Sequence, residues 1–446
     1  ANAAPVSVIA EYLVSAMAAQ CMLWQTSPAA TELETRVLDW LRQALGLPEG
    51  FHGVIQDSAS SATLAAVLTM RERALGWAGN KAGLAGGPVV RVYCSDQVHT
   101  SIDRAIWVSG IGEANLVRIP VSGPLRAMDP TALETAIRAD REAGFVPAGI
   151  IGSVGGTSTG GTDDIAAVCT VARRHGLYVH VDAAWAGSAM ICPEFRSLWA
   201  GVEQADSVVF NPHKWLGAQF DCSAHFLRDP DSLVKTLAIQ PEYLKSHGRD
   251  GVINYSEWSV PLGRRFRALK LWFLMRAHGL EGLRAMIRNH VAWSAALADR
   301  IRAQPDFEIV TEPVLSLFSF RHRPESVADL EKLAGEHGLA LSDSDAPGGG
   351  KRLRFIDPNG FEVDAVAGQQ KPAALPVVRR LVHNDGEERP RQGAPLRVQP
   401  GPSQVKRLGH CVINVRDFRE SEAWYKSRFG LVTSDEIEIA PGAPIG

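Results

Sequence analysis

The sequence predicts an α/β protein with a mostly parallel central sheet, and three observations predict it. Between Val89 and Ile191, short apolar runs alternate with helical patterns, as strands joined by crossover helices do. One such run, Leu177-Tyr-Val-His-Val181, ends on a carboxylate, Asp182. Another, Asp206-Ser-Val-Val-Phe210, leads straight into Asn211-Pro-His-Lys-Trp215, which sets Lys214 in a short loop. The two charged groups are 214 − 182 = 32 positions apart, about the length of one strand–helix–strand unit. Ligands of such sheets sit beyond the carboxyl ends of the strands, where both groups fall.

The chain opens as helix on helix. Val6–Leu23 carries apolar residues at helical spacing (Val8, Ile9, Leu13, Met17), and Thr31–Leu45 repeats the pattern. Pro28 sits where a first-turn proline would, and Thr31 and Glu34 have capping-box spacing. Apolar helices at a chain end serve either as oligomer contacts or as cover for the chain's own core. Ala62–Leu75 is a strong helix behind the polar turn Ser58-Ala59-Ser60, which reads as an anion cradle or as a plain serine cap. The alternation then runs strand Val89–Tyr93, helix Val98–Trp107, strand Ala114–Ile119, helix Pro130–Ala143, strand Ala148–Val154, helix Ile165–His175 and strand Leu177–Val181.

Composition bounds the function. A chain of 446 residues with 46% hydrophobic content can bury a large core in more than one domain. A formal net charge of −3 gives no electrostatic case for nucleic acid or an anionic membrane. Six cysteines without CxxC spacing indicate neither a disulfide framework nor a zinc knuckle, which fits a reducing cytoplasm. No apolar run approaches membrane-spanning length. The glycine loop Gly155–Gly161 is not GxGxxG and no acidic residue stands where a ribose requires one, so nicotinamide binding is excluded.

A buried carboxylate after an all-apolar strand is costly unless paired, and a loop lysine beyond the next strand offers an amine. Pyridoxal phosphate needs both: a lysine for its Schiff base and an acid for its ring nitrogen. His99, just past a strand end, is a candidate to stack on a flat ring.

From Ala3 to Phe320 the chain resembles the group II pyridoxal-phosphate decarboxylases, and among them the aromatic-L-amino-acid decarboxylases. The resemblance rests on Thr26-Ser-Pro-Ala-Ala-Thr-Glu-Leu-Glu34, Ser58-Ala-Ser60, His180-Val-Asp-Ala-Ala-Trp-Ala-Gly-Ser188, Ile191-Cys-Pro-Glu-Phe-Arg196, Asn211-Pro-His-Lys-Trp215, Phe220-Asp-Cys-Ser223 and Val260-Pro-Leu-Gly-Arg-Arg-Phe266, in that order. It implies a type-I, aspartate aminotransferase-like fold and a cytoplasmic homodimer. It makes Lys214 the Schiff-base lysine, Asp182 the partner of the pyridine nitrogen and His99 the ring-stacking residue. Ser58, Ala59 and Ser60 become the phosphate cup, with His213 and Asn211 beside it, and Thr157 and Ala184 line the cofactor. Tyr243, in Gln240-Pro-Glu-Tyr-Leu-Lys245, matches the loop tyrosine that reprotonates the quinonoid carbon after carbon dioxide leaves. Retention of Tyr243 and His99 favours simple decarboxylation over the aldehyde-forming variants.

The ends depart from that family. Ala1-Asn-Ala-Ala-Pro5 looks like a start in mid-protein, without the arm that supplies part of the family's substrate pocket. Beyond Phe320, Val327–His337 and Leu353–Asp364 resemble the close of a vicinal-oxygen-chelate module of the glyoxalase and extradiol-dioxygenase kind, and Leu408–Val415 with Glu420–Phe429 resemble the opening of another. His410 falls on that family's first metal-ligand position and Asp364 where a Glu ligand can occur, but one ligand per module holds no metal. The expected divisions are a helical segment 1–50, a cofactor-binding domain 51–262, the start of a small domain 263–322, a partial module 323–368, a Pro/Gln/Arg-rich linker 369–405 and a truncated module 406–446. Two other readings stand beside the decarboxylase: a chain that binds the cofactor but turns over poorly, and a metal-dependent dioxygenase or binding module in the tail.

Overall fold

Seven strands build the sheet that positions the candidate site: β1 (His52–Gln56), β2 (Val90–Ser95), β3 (Leu116–Ile119), β4 (Val146–Ser153), β5 (Tyr178–Asp182), β6 (Ser207–Phe210) and β7 (Ser223–Leu227). The structure is a computed structural model that describes residues 3–239, 252–304, 307–322, 327–346, 348–370, 415–429, 438–440 and 443–444. Tyr243, His410 and most of the segment 369–405 lie outside those residues. The strand order is β1-β7-β6-β5-β4-β2-β3. Every pair from β6 to β3 is parallel, while β7 runs antiparallel to both β6 and β1. The mostly parallel α/β sheet is therefore as the sequence predicts.

All residues of β5, β6 and β7 are buried, so these strands show no alternation of apolar and exposed positions, and their polar side chains at His180, Asp182, Ser207, Ser223 and His225 are buried too. Helix α3 (Ala59–Ala74) packs across β4 to β7, and α5 (Pro130–Glu142) and α6 (Ile165–His175) pack on β4, α6 also on β5. Between α3 and α5 in the chain lies α4 (Ser101–Val108), which packs on α3. Local signals set the ends. Asp129 caps α5 through the Thr131 and Ala132 N–H groups, Asp164 caps α6 through Ala167 N–H, and left-handed Gly176 closes α6 at Ala172 and Arg173.

Two expectations need correction. The second N-terminal helix, α2 (Pro28–Leu45), starts at Pro28 behind Ser27, so Thr31 and Glu34 lie inside it and form no capping box. Glu34 turns inward instead: Arg264 Nη2 donates to its Oε1 at 2.5 Å and the Ile55 N–H does so at 2.9 Å. Both partners of this ion pair are 2% exposed, and it ties the TELE and GRRF motifs together across the chain. The other correction concerns His99, which does not open a helix but precedes α4, for a reason given below.

The first helix, α1 (Pro5–Met17), and α2 both pack on α8 (Arg267–Arg302), a helical span that breaks at Gly279 and follows α7 (Pro230–Leu237) in the chain. On α1 the side chains of Val8, Ile9, Tyr12, Leu13 and Met17 remain exposed, whereas α2 buries Val37, Leu38, Leu41 and Leu45 in the core. Contacts divide the chain between Arg321 and His322. The second unit contains α9 (Val327–His337), β8 (Lys351–Ile356), β9 (Glu362–Ala367) and α10 (Phe418–Phe429), with β8 and β9 antiparallel around Leu353 and Phe355. Asp364 is not free there: Arg354 grips both its oxygens at 2.7 and 2.8 Å. Among the described residues no three His, Cys, Asp or Glu side chains gather as metal ligands, and no helix is long and apolar enough to cross a membrane.

Two imidazoles sit inside the sheet–α3 layer. His180 is held by Ser207 Oγ at 2.8 Å and Thr63 Oγ1 at 3.3 Å. His225, edge-on to it at 5.7 Å, has no partner on either nitrogen among the described residues. Burial pushes His225 down to about 3, so in the folded chain it stays neutral where the unfolded chain takes up a proton below about 6.5. The unfolded state then binds more protons, so this group's contribution falls as pH drops from 6.5 toward 3 and is flat above 6.5. His225→Leu is expected to gain about 2 kcal/mol relative to the parent between pH 7.5 and pH 5, from a depression of this size. Urea midpoints at the two pH values check it; a pH-independent difference contradicts it.

Candidate active site

Beyond the carboxyl ends of β4, β5 and β6 lies a cavity of about 240 Å³. The structure brings ten predicted residues to its wall: Ser58, Ala59, Ser60, His99, Thr157, Asp182, Ala184, Asn211, His213 and Lys214. They converge from five separate strand ends because a parallel sheet collects its loops on one edge. Tyr243 is the remaining predicted residue and lies outside the described chain.

Each side chain is held by local structure. Asp182 ends β5, and its Oδ1 accepts the Ala184 N–H at 2.9 Å. Its Oδ2 has no hydrogen bond among the described residues. Burial raises this carboxyl above the usual carboxylate range, opposed by that N–H and by the charges of Lys214 and His99. Lys214 follows β6 through a turn in which its N–H donates to Asn211 O at 2.9 Å. Burial lowers the amine below its ordinary value, with Asp182 pulling the other way. A lysine so lowered has more of its free-base, nucleophilic form.

His213 Nδ1 accepts the Cys222 N–H at 2.9 Å, so its proton is on Nε2. Its imidazole is pushed down to about 4 by burial and by the Lys214 charge, and is neutral at physiological pH. Asn211 Oδ1 accepts the Ser223 hydroxyl at 2.6 Å, which leaves its amide N–H groups as donors. Ser58 caps α3 by accepting the Ser61 N–H at 3.2 Å. The serine cap is therefore present, and it does not exclude the anion-cradle reading. The cap occupies Ser61, while the first N–H groups of a sixteen-residue helix, at Ala59 and Ser60, have no intrahelical acceptor and favour an anion.

Gly155 also lines the cavity, against Trp185 and Ala186. Its φ of +80° is left-handed, and a Cβ there would come within 2.4 Å of Ala186 Cβ. Three wall residues escaped the sequence reading: Ser101, Ser153 and Trp185. Trp185 stacks on Trp215 with ring centroids 5.0 Å apart, and Trp215 Nε1 donates to His290 Nδ1 at 2.9 Å, which braces the lysine loop against α8. Trp215 directly follows the loop Lys214, but Trp185 lies three residues past the strand-end Asp182, and no spacing signal pairs the two rings. A second hollow of about 270 Å³, bounded by Trp40, Leu41, Leu216, Met275 and Leu283, is apolar apart from Arg276 and has no convergent polar groups.

Residues 1–323 match the family model described as the pyridoxal-dependent decarboxylase conserved domain. The chain belongs to the pyridoxal-dependent decarboxylases. This decarboxylase is 40% identical over 352 residues to the phenylacetaldehyde synthase of Arabidopsis thaliana, a match covering 77% of this chain and 71% of that one. It is 42% identical over 335 residues to the tyrosine decarboxylase of Oryza sativa subsp. japonica, covering 72% and 62%. To the aromatic-L-amino-acid decarboxylase of Mus musculus it is 42% identical over 334 residues, covering 71% and 68%. The solved structure of Oryza sativa TDC with PLP and tryptamine superposes with a TM-score of 0.69 at 36% identity, covering 78% of this decarboxylase and 76% of that chain. The type-I fold and the cofactor, pyridoxal phosphate, follow from these matches.

The wall fits that cofactor on its own evidence. A buried carboxylate with a free oxygen suits a cationic ring nitrogen, a lowered amine suits an aldehyde, and a helix N-terminus flanked by amide and imidazole donors suits a phosphate.

Proposed function

We propose that this chain decarboxylates an aromatic L-amino acid to the amine and carbon dioxide. The observation that carries the reading is one cavity holding a lowered lysine amine, a buried strand-end carboxylate and a helix N-terminus together. When bound, pyridoxal phosphate supplies an electron-withdrawing ring that accepts the electron pair left by carbon dioxide. Lys214 would hold its aldehyde carbon, Asp182 its ring nitrogen, and Ser58, Ala59, Ser60, Asn211 and His213 its phosphate.

The chain's own groups do the rest. Lys214 Nζ has no hydrogen bond among the described residues, so nothing ties the amine away from an incoming carbonyl. Neutral His213 gives Nε2–H as a donor without adding a charge beside Lys214. Tyr243 is assigned the proton that returns to the α-carbon from its phenol, by likeness of its segment to the family loop. A homodimer is proposed on the same likeness.

Aldehyde formation is the second reading, favoured by the 40% identity to a phenylacetaldehyde synthase. A panel of tryptophan, tyrosine, phenylalanine and dihydroxyphenylalanine, with carbon dioxide, amine and aldehyde all measured, separates the outcomes. Amine equal to carbon dioxide is expected. Aldehyde in its place overturns the first reading in favour of the second, and cofactor uptake with no carbon dioxide from any of the four overturns both.

A further inference from the structure

We propose that Ser101 is a positioning residue that fixes His99 as a hydrogen-bond donor toward the cavity. The inference builds on the active-site reading above. The Ser101 backbone N–H can only donate, and it donates to His99 Nδ1 at 3.1 Å. A ring nitrogen that accepts carries no proton, so neutral His99 holds its proton on Nε2. The Ser101 hydroxyl lies 2.9 Å from the same nitrogen and, facing a bare Nδ1, must donate as well. One residue thus pins one edge of the ring with two donors.

This pairing also explains where α4 begins. Ser101 is the first helical residue and is 8% exposed, and its N–H has no carbonyl four residues back within the helix. The His99 ring takes that N–H, which keeps residue 99 outside the helix and its side chain on the cavity wall. The other edge, Nε2–H, has no partner among the described residues. His213 repeats the arrangement, with the Cys222 N–H on its Nδ1. Both cavity imidazoles therefore offer Nε2–H.

The consequence is chemical. The Nε2–H edge of His99 can donate to an oxygen acceptor, such as the carboxylate of an amino acid. Ser101 sets that polarity through the two donors it places on His99 Nδ1.

The test is nitrogen magnetic resonance of the full chain loaded with pyridoxal phosphate and labelled in histidine, with the His99 signals identified by their loss in His99→Gln. A bare Nδ1 and a protonated Nε2 are expected, with or without the cofactor. Ser101→Ala should move the His99 signals and lower kcat/KM about three- to tenfold, the effect of one neutral hydrogen bond. Ser101→Thr keeps the hydroxyl and should stay within about twofold of the parent. A proton on Nδ1 in the parent protein overturns the inference, as does a Ser101→Ala protein with unchanged His99 signals and unchanged kcat/KM. The tautomer is read without turnover, so a protein with the expected spectrum and no carbon dioxide release sinks the proposed reaction and leaves this inference standing.

Discussion

Lys214→Ala is expected to lose carbon dioxide release by about 10³-fold or more, the scale of removing a positioned acid–base and nucleophilic group. It is also expected to lose the absorbance band of the covalently held cofactor. The amine is special because of where it sits: in a turn after β6, largely out of water, with its pKa lowered by burial. Lys214→Arg keeps the positive charge but supplies a guanidinium that stays protonated, so it should be as inactive as the alanine variant. Either variant retaining more than about a tenth of parental turnover, against a loss of this scale, would mean that the reacting amine is elsewhere.

Asp182 gives the second large effect, and its two variants separate charge from shape. Asp182→Asn keeps an oxygen for the Ala184 N–H but removes the negative charge. Breaking one side of a buried charge pair costs about 3–5 kcal/mol, so cofactor retention should weaken by about 10²- to 4 × 10³-fold in the Asn variant. Asp182→Ala should be at least as weak. The sign of a secondary effect is fixed as well: the Asp182 charge raises the Lys214 pKa, so removing it lowers that amine further. Equilibrium titration of cofactor-free protein with pyridoxal phosphate measures the first effect. Parental affinity in Asp182→Asn would show that the carboxylate does not meet a cation in the loaded protein.

Much of this was legible in the sequence because it depends on short-range chemistry. The alternation between Val89 and Ile191 sets the parallel sheet, and a strand-end Asp with a loop Lys one unit later falls on the ligand edge of such a sheet. Asp129 announces its helix by the Pro130 that follows it, and Asp164 caps the helix that the apolar pattern starts at Ile165. The misreadings arise where a distant partner overrides a local signal. Thr31 and Glu34 have the spacing of a capping box, but Arg264, 230 positions away, claims the Glu34 carboxylate. The start of α4 moved from Val98 to Ser101 because the His99 ring, rather than a Ser or Asp cap, takes the first free N–H. Trp185 was missed because its role depends on a stack with Trp215 that no spacing rule announces. The buried His180–His225 pair is also a matter of register: β5, β6 and β7 bring the two rings onto one face of the sheet.

The central claim is that Lys214 carries the cofactor against Asp182. Borohydride reduction of the protein loaded with pyridoxal phosphate, followed by mass analysis of its peptides, tests it most directly. One reduced pyridoxyl group is expected on the peptide containing Asn211-Pro-His-Lys-Trp215, at Lys214, as is its loss in Lys214→Ala. A pyridoxyl group on another lysine, or none in protein that has bound the cofactor, would contradict it.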